Sequence, residues 1–285
     1  MSAVITAQGL SKRYGRQAAI DNISFEVKQG RIVGLVGPNG SGKTTTLKAL
    51  LGLTHFEGHL SVLGMDPRVE RDALMQEVCF IADVAILPRW LKVGDAIDFI
   101  AGVHPRFDRA KAERYLANTK LELSMKVKTM SKGMVVQLHL ALVMAIDARL
   151  LVLDEPTLGL DIMYRKQFYQ HLLEDYFDQD KTIVITTHQI EEVEHILTDL
   201  LFIGDGKILL SASMDEVALR YTEVMVEPQW QEQAQALHPL SKRSVFGKCV
   251  MLFDGVPREQ LSPFGDVRTP SVADLFVATM KGPAA

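Results

Sequence analysis

The sequence predicts an α/β protein: a mixed, mostly parallel sheet at the core, an antiparallel β portion, a helical subdomain and a small C-terminal α+β extension. Three observations predict it. RIVGLVG (31–37), LLVLDEP (150–156) and KTIVITTH (181–188) are continuous apolar runs ending in glycine or polar residues, as strands buried on both faces of a parallel sheet read. Helical patterns at 43–52, 93–103, 108–120, 132–146, 161–178 and 189–197 alternate with them, the rhythm of βαβ units. In the first thirty residues, VITAQGL and AAIDNISFEV alternate apolar with polar instead, like antiparallel strands.

Later elements follow from local chemistry. DGK (205–207) between LLFIG and ILLSA reads as a tight hairpin turn. Beyond about 222 the pattern weakens into short strand-like pieces such as KCVMLF (248–253) and a final helix, SVADLFVATM (271–280). The expected division is therefore 1–215 for the main domain, with the helical subdomain at about 84–146, and 216–285 for an accessory region. Apolar residues make up 47% and charged residues 23% of the 285, ample material for a core. A net charge of −4 argues against nucleic acid as a partner. Cys79 and Cys249 form no zinc or redox spacing and suit a reducing compartment. The N-terminus reads as carrying no signal peptide. The longest apolar stretch, around 134–153, is broken by Gln137, His139, Asp147 and Arg149, so no membrane span is expected.

Chemistry concentrates at GPNGSGKTT (37–45), which fits G-x-x-x-x-G-K-[ST] between an apolar strand and a helical stretch. Its residues are Gly37, Pro38, Asn39, Gly40, Ser41, Gly42, Lys43, Thr44 and Thr45. Glycines let backbone N–H groups face phosphate oxygens, Lys43 reaches the β- and γ-phosphates, and the Thr44 hydroxyl suits Mg²⁺. This is a P-loop nucleotide site, with ATP and Mg²⁺ expected. LLVLDEP then sets Asp154 at a strand's carboxyl end, the edge that carries the P-loop, where it can hold Mg²⁺. Glu155, next in the chain, suits a general base for the attacking water. TMSKGM (129–134) opens an apolar helix with Ser131, a residue that caps helices and suits an anion at a helix N-terminus.

Taken together, these residues resemble the nucleotide-binding subunit of ABC transporters over roughly 4–215. TMSKGM stands in the place of that family's LSGGQ signature, in the SKGM form of bacterial ABC-2 type exporters. EPTLGLD looks like the D-loop ending in Asp161, TTHQIEEVEHI supplies the switch histidine His188, and Tyr14 in SKRYG matches the aromatic residue that stacks on adenine. The resemblance implies a P-loop NTPase fold of ABC type and a head-to-tail dimer in which Ser131 and Gly133 serve the ATP held by the partner. It further implies an ATPase with Lys43, Glu155 and His188 at the reaction centre, driving a separate integral-membrane permease from the cytoplasmic face. LPRWLKV (87–93) offers Leu87, Trp90 and Leu91 as permease dock residues, with internal packing of Trp90 the other reading.

Two departures qualify the match. Lys132 and Met134 replace the signature's first glycine and its glutamine, and Asp83 in CFIADVAILPRW stands where the Q-loop glutamine belongs. An aspartate there could bind Mg²⁺ more strongly, retuning hydrolysis. A slow-turnover, nucleotide-gated regulatory module is the competing reading, and an importer or a soluble ABC protein of translation or repair fits less well. His139 reads as a hydrogen-bonded core histidine, His55 and His59 lack metal-type partners, and Met130, Met134 and Met144 read as packing.

Overall fold

β1 (Ala3–Tyr14) and β2 (Gln17–Lys28) form the antiparallel hairpin that the alternating start of the chain calls for, Ile5, Leu10, Ile20 and Ile23 facing inward. The structure is a computed structural model describing residues 2–81, 87–245 and 247–281. β3 (Ile32–Val36), buried throughout, runs into the glycine-rich loop and α1 (Lys43–Leu50). β4 (Glu57–Val62) returns to pair with β1, and after the short α2 (Arg71–Leu74) comes β5 (Val78–Ile81). Three helices follow, α3 (Val93–Val103), α4 (Arg109–Ala117) and α5 (Lys132–Met144). Next come β6 (Leu150–Asp154), α6 (Ile162–His171), β7 (Thr182–Thr187), β8 (Asp199–Gly204) and β9 (Lys207–Ser213).

Among the described residues the main sheet has the order β5-β6-β7-β3-β8-β9, parallel except for β9 at one edge. Side chains alternate between its faces. Leu151, Leu153, Ile183 and Ile185 join one core with Phe168, Leu172 and Tyr176, while Leu150, Val152, Val184 and Val33 join a second with Leu47, Leu50 and the hairpin's Ile5 and Leu10. Both faces are covered, which is why these strands read as unbroken apolar runs. α5 is apolar nearly all round for a related reason. Leu140 and Met144 pack toward the sheet, and Leu138, Ala141 and Leu142 pack toward α3 and α4.

Several expectations change. The stretch 189–197 is not an α-helix but two 3₁₀ turns, Ile190–Glu192 and Glu194–Ile196. Within the turns themselves the buried residues, Ile190, Val193 and Ile196, recur every three positions, the period of a 3₁₀ turn, and Leu197 just beyond is buried as well. The helix read over 161–178 is α6 plus a wider π turn, Leu172–Tyr176, which seats Leu172 and Tyr176 in the core. Trp90 does not pack internally: it is 70% exposed, because Leu87 and Leu91 on either side fill the space against the helical cluster. His139 is half-buried and its Nδ1 has no hydrogen-bond partner among the described residues, since its neighbours on the helix are apolar; burial pushes its pKa down.

After α7 (Met214–Arg220) the weak tail pattern resolves into β10 (Tyr221–Val226), α8 (Gln231–Gln235), β11 (Ser241–Val245), β12 (Lys248–Asp254), α9 (Arg258–Leu261), β13 (Gly265–Arg268) and α10 (Val272–Lys281). The strands form an antiparallel sheet in the order β11-β12-β10-β13. Glu223, 2% exposed on β10, accepts from Arg243 at 2.8 Å and from Arg268 Nε at 2.6 Å, and Arg243 also donates to Asp274 of α10 at 2.8 Å. α10 lays Val272, Leu275 and Ala278 into the core of the main sheet, where Phe276 meets Phe202 edge-on at 5.1 Å. Leu275→Ala, at a fully buried position, is expected to destabilise the protein by about 2–5 kcal/mol. Because that core is shared, calorimetry should show one transition moved to lower temperature, not a separate early melting of the tail.

Candidate functional site

The loop after β3 wraps back on itself because three glycines leave no side chain in its way. Gly40 (φ 81) and Gly42 (φ 113) adopt the left-handed backbone that a β-carbon disfavours. A Cβ at Gly37 would lie 2.3 Å from the Ile203 carbonyl oxygen, and one at Gly42 2.5 Å from that of Ala19. The turn between β8 and β9 braces the loop from behind, with the Gly206 N–H donating to the Ser41 carbonyl at 3.0 Å. Asp205 (φ 47) and Gly206 (φ 75) make this the two-residue hairpin turn read from DGK.

Asn39, Gly40, Gly42, Lys43, Thr44, Thr45, Asp154 and Glu155, with Ala19, line one cavity of about 180 Å³. Lys43 is buried, its Nζ donating to the carbonyls of Gly37 at 2.7 Å and Pro38 at 3.2 Å; burial lowers its pKa against the opposing pull of Glu155 and Asp154. Ser41 is 3% exposed and its Oγ has no hydrogen-bond partner among the described residues, a buried hydroxyl left over for a ligand of the loop. The cradle therefore fits a phosphate chain. For Mg²⁺ the fit is one of donor type: the Thr44 hydroxyl and the Asp154 carboxylate, hard oxygens in contact at 3.0 Å, meet at the cavity wall.

The two adjacent carboxylates have different surroundings. Asp154 is 2% exposed and accepts from Thr44 at Oδ2 and from Thr186 at Oδ1, the latter at 2.5 Å. Glu155 sits in the left-handed region (φ 50), its N–H donating to Thr186 Oγ1 at 3.1 Å. Its Oε2 lies 2.7 Å from His188 Nδ1, and the His188 N–H donates to the same oxygen at 3.4 Å. Desolvation raises the Glu155 pKa, with His188 and Lys43 opposing the rise. A carboxyl group shifted toward neutrality beside a phosphate cradle can take a proton from water.

Other expected residues lie apart. Ser131, Gly133 and Asp161 line a different cavity of about 550 Å³ with Lys120, Lys132, Met134 and Tyr164. Ser131 caps α5, its Oγ accepting from the Met134 N–H at 3.2 Å, and Asp161 caps α6, accepting from Met163 at 3.0 Å and Tyr164 at 3.1 Å. Tyr14 stands 52% exposed at the tip of the first hairpin and does not line the cradle cavity, though Ala19 on the next strand does. Asp83 lies outside the described residues. Sequence reasoning missed Thr186 and also Arg165, which donates to Leu160 O at 2.8 Å and Gln189 Oε1 at 2.6 Å and pairs with Glu192. The doubled threonine before His188 was the available signal for the first; nothing local marks the second.

Residues 20–158 match the ABC transporter family model. The chain is 30% identical to the uncharacterized ABC transporter ATP-binding protein YdbJ of Bacillus subtilis (strain 168), over 81% of this chain and 76% of that protein. It is 36% identical to the Nod factor export ATP-binding protein I of Burkholderia orbicola (strain AU 1054), over 72% of this chain and 69% of the relative. In fold it is similar to a dimeric ATP-binding cassette solved in a post-hydrolysis state bound to ADP and Pi, at 22% identity and a TM-score of 0.64, over 74% of this chain and 98% of that one.

Gly42→Ala should close the cradle, since the new Cβ meets the Ala19 carbonyl at 2.5 Å and the left-handed φ adds strain. Titration with fluorescent ADP should show at least about a tenfold loss of affinity, the effect of a strain of some 1–3 kcal/mol at the loop.

Proposed function

Because the chain belongs to the ABC transporter family of ATP-binding, ATP-hydrolysing subunits, we propose that it powers a separate membrane permease, as the ATPase of an ABC-2 type exporter. One observation carries this reading. A phosphate cradle meets two carboxylates of unlike environment, Asp154 held at each oxygen by one hydroxyl donor and Glu155 desolvated beside His188. Export is supported by the SKGM signature and by the stated role of the Burkholderia relative.

In this reading ATP enters with its phosphates on Gly37–Thr45 and its adenine against Tyr14. The Lys43 ammonium exchanges the carbonyls of Gly37 and Pro38 for phosphate oxygens. Thr44 and Asp154 would hold Mg²⁺, which would neutralise phosphate charge and orient the terminal group. Glu155 accepts a proton as the water oxygen bonds to the γ-phosphorus and the bond to the ADP oxygen breaks. His188 holds the Glu155 carboxylate in line and faces the γ-phosphate. Positioning and fixed charge supply most of the acceleration.

Among the described residues of one chain, the cradle and the Ser131 cavity share no lining residue. A second copy, packed head to tail, brings its Ser131, Gly133 and α5 N-terminus to the γ-phosphate, with Asp161 at the seam. Trp90, with the part-exposed Leu87 and Leu91 beside it, receives the permease on the helical subdomain, which puts the chain on the cytoplasmic face of the membrane. Among the described residues no helix is long and apolar enough to cross one. The region from about 216 onward is an accessory unit anchored on the ATPase core.

Light scattering on Glu155→Gln tests the scheme. With Mg-ATP the variant should double its mass, and Ser131→Arg added to it should keep it monomeric. A well-folded, ATP-bound monomer would rule out self-pairing. The pH profile gives a second check. Glu155 works ionised and its pKa is raised, chiefly by burial, so kcat should fall as pH drops, with the acid limb above the usual glutamate value of about 4.3. Raising the pH through that limb should restore the rate.

A further inference from the structure

We propose that Thr186 is a positioning residue for hydrolysis: one buried hydroxyl sets the metal-facing carboxylate and the base carboxylate relative to each other. The proposal rests on the roles given above to Asp154 and Glu155. Parallel pairing of β6 with β7 puts Thr186 directly opposite Asp154, at full burial. A threonine hydroxyl has one hydrogen and two lone pairs. The hydrogen goes to Asp154 Oδ1 at 2.5 Å, a carboxylate oxygen accepting from the hydroxyl. One of the two lone pairs faces Glu155, whose N–H donates to Thr186 Oγ1 at 3.1 Å and, shared, to the Thr186 carbonyl at 3.2 Å. A polar chain thus runs from the Glu155 N–H through Thr186 to Asp154, each link polarising the next.

Both ends of that chain need such a constraint. The terminal torsion of an aspartate is soft, so nothing intrinsic stops the Asp154 carboxylate from rotating. With Oδ1 held by Thr186, Oδ2 is the oxygen turned to Thr44 and the cavity. At the other end, Glu155 occupies a backbone region that non-glycine residues avoid (φ 50), and such a conformation persists only where its surroundings over-determine it. The hydroxyl fixes the peptide that precedes Glu155 and therefore the direction in which its side chain leaves. No other side-chain hydroxyl in the described residues bonds both carboxylate-bearing residues.

Thr186→Val keeps the shape and deletes the hydroxyl; Thr186→Ser keeps the hydroxyl and deletes the methyl. With the full chain, two readouts separate the roles: steady-state ATPase, and fluorescent-ADP affinity with and without Mg²⁺. Thr186→Val should lower kcat by about ten- to hundredfold, the scale of a misplaced reacting group, with KM for ATP changed less than about threefold. Metal-free ADP affinity should stay at the wild-type value, while the gain in affinity on adding Mg²⁺ shrinks several-fold. Thr186→Ser should restore both. A Thr186→Val enzyme with wild-type kcat and an unchanged Mg²⁺ gain overturns the proposal. So does a Thr186→Ser enzyme as impaired as the valine variant, which would mark the methyl, and packing alone, as what matters. If Thr186→Val does not fold, Thr186→Ala against Thr186→Ser isolates the hydroxyl equally well. Glu155→Gln, run in parallel, identifies a different failure: wild-type turnover there removes the base assignment itself, whatever Thr186 does.

Discussion

Parallelism of three strands is the constraint on which everything else depends. β6, β7 and β3 lie side by side and point the same way, so Asp154, His188 and the glycine-rich loop all emerge at one edge of the sheet. Parallel pairing brings polar groups to a common rim, while the crossover helices seal both faces with apolar side chains. β7 sits between the strand that carries the carboxylates and the strand that carries the loop. Its carboxyl end is therefore the natural place for groups that hold both sides together, and Thr186 and His188 stand there.

The same architecture keeps two anion-suited places apart. The phosphate cradle and the cavity under the start of α5 are separate within one chain, and each has a helix N-terminus at its wall. An N-terminus with unpaired N–H groups favours an anion, but the α5 end has no phosphate cradle of its own. Ser131 gives its oxygen to the Met134 N–H, a capping arrangement at an end where Ser131 and Lys132 are exposed and Gly133 half-buried.

Much of this was legible in the sequence because the informative signals are local. A loop that needs glycine at particular φ values, a lysine after it and two carboxylates closing an apolar run are all readable within a few residues. The DG turn was readable for the same reason, since positive φ at both positions selects those residues. What escaped depends on contacts between distant segments. Thr186 gains its bonds from the strand register, Arg165 from the approach of α6 to the turn after β7, and the C-terminal sheet from edge pairings between short strands. Solvation was the harder thing to read: of the two readings of Trp90, dock residue or internal packing, its exposure removes the second, while His139 looked satisfied and has a ring nitrogen without a partner among the described residues. The 190–196 segment carried enough apolar residues for a helix, and only their spacing by three gave the tighter turns away.

The backbone of Glu155 has a consequence for how such a protein can be improved. Left-handed φ costs a glutamate energy that asparagine or glycine would largely avoid. A search for stabilising substitutions would therefore single out this position, and each change that relaxed the chain there would remove the carboxylate or, with aspartate, draw it back by one methylene. Under the proposed mechanism stability and turnover compete at one residue, so a thermally hardened form of this fold has to gain its margin elsewhere, in loops and helix ends remote from the rim.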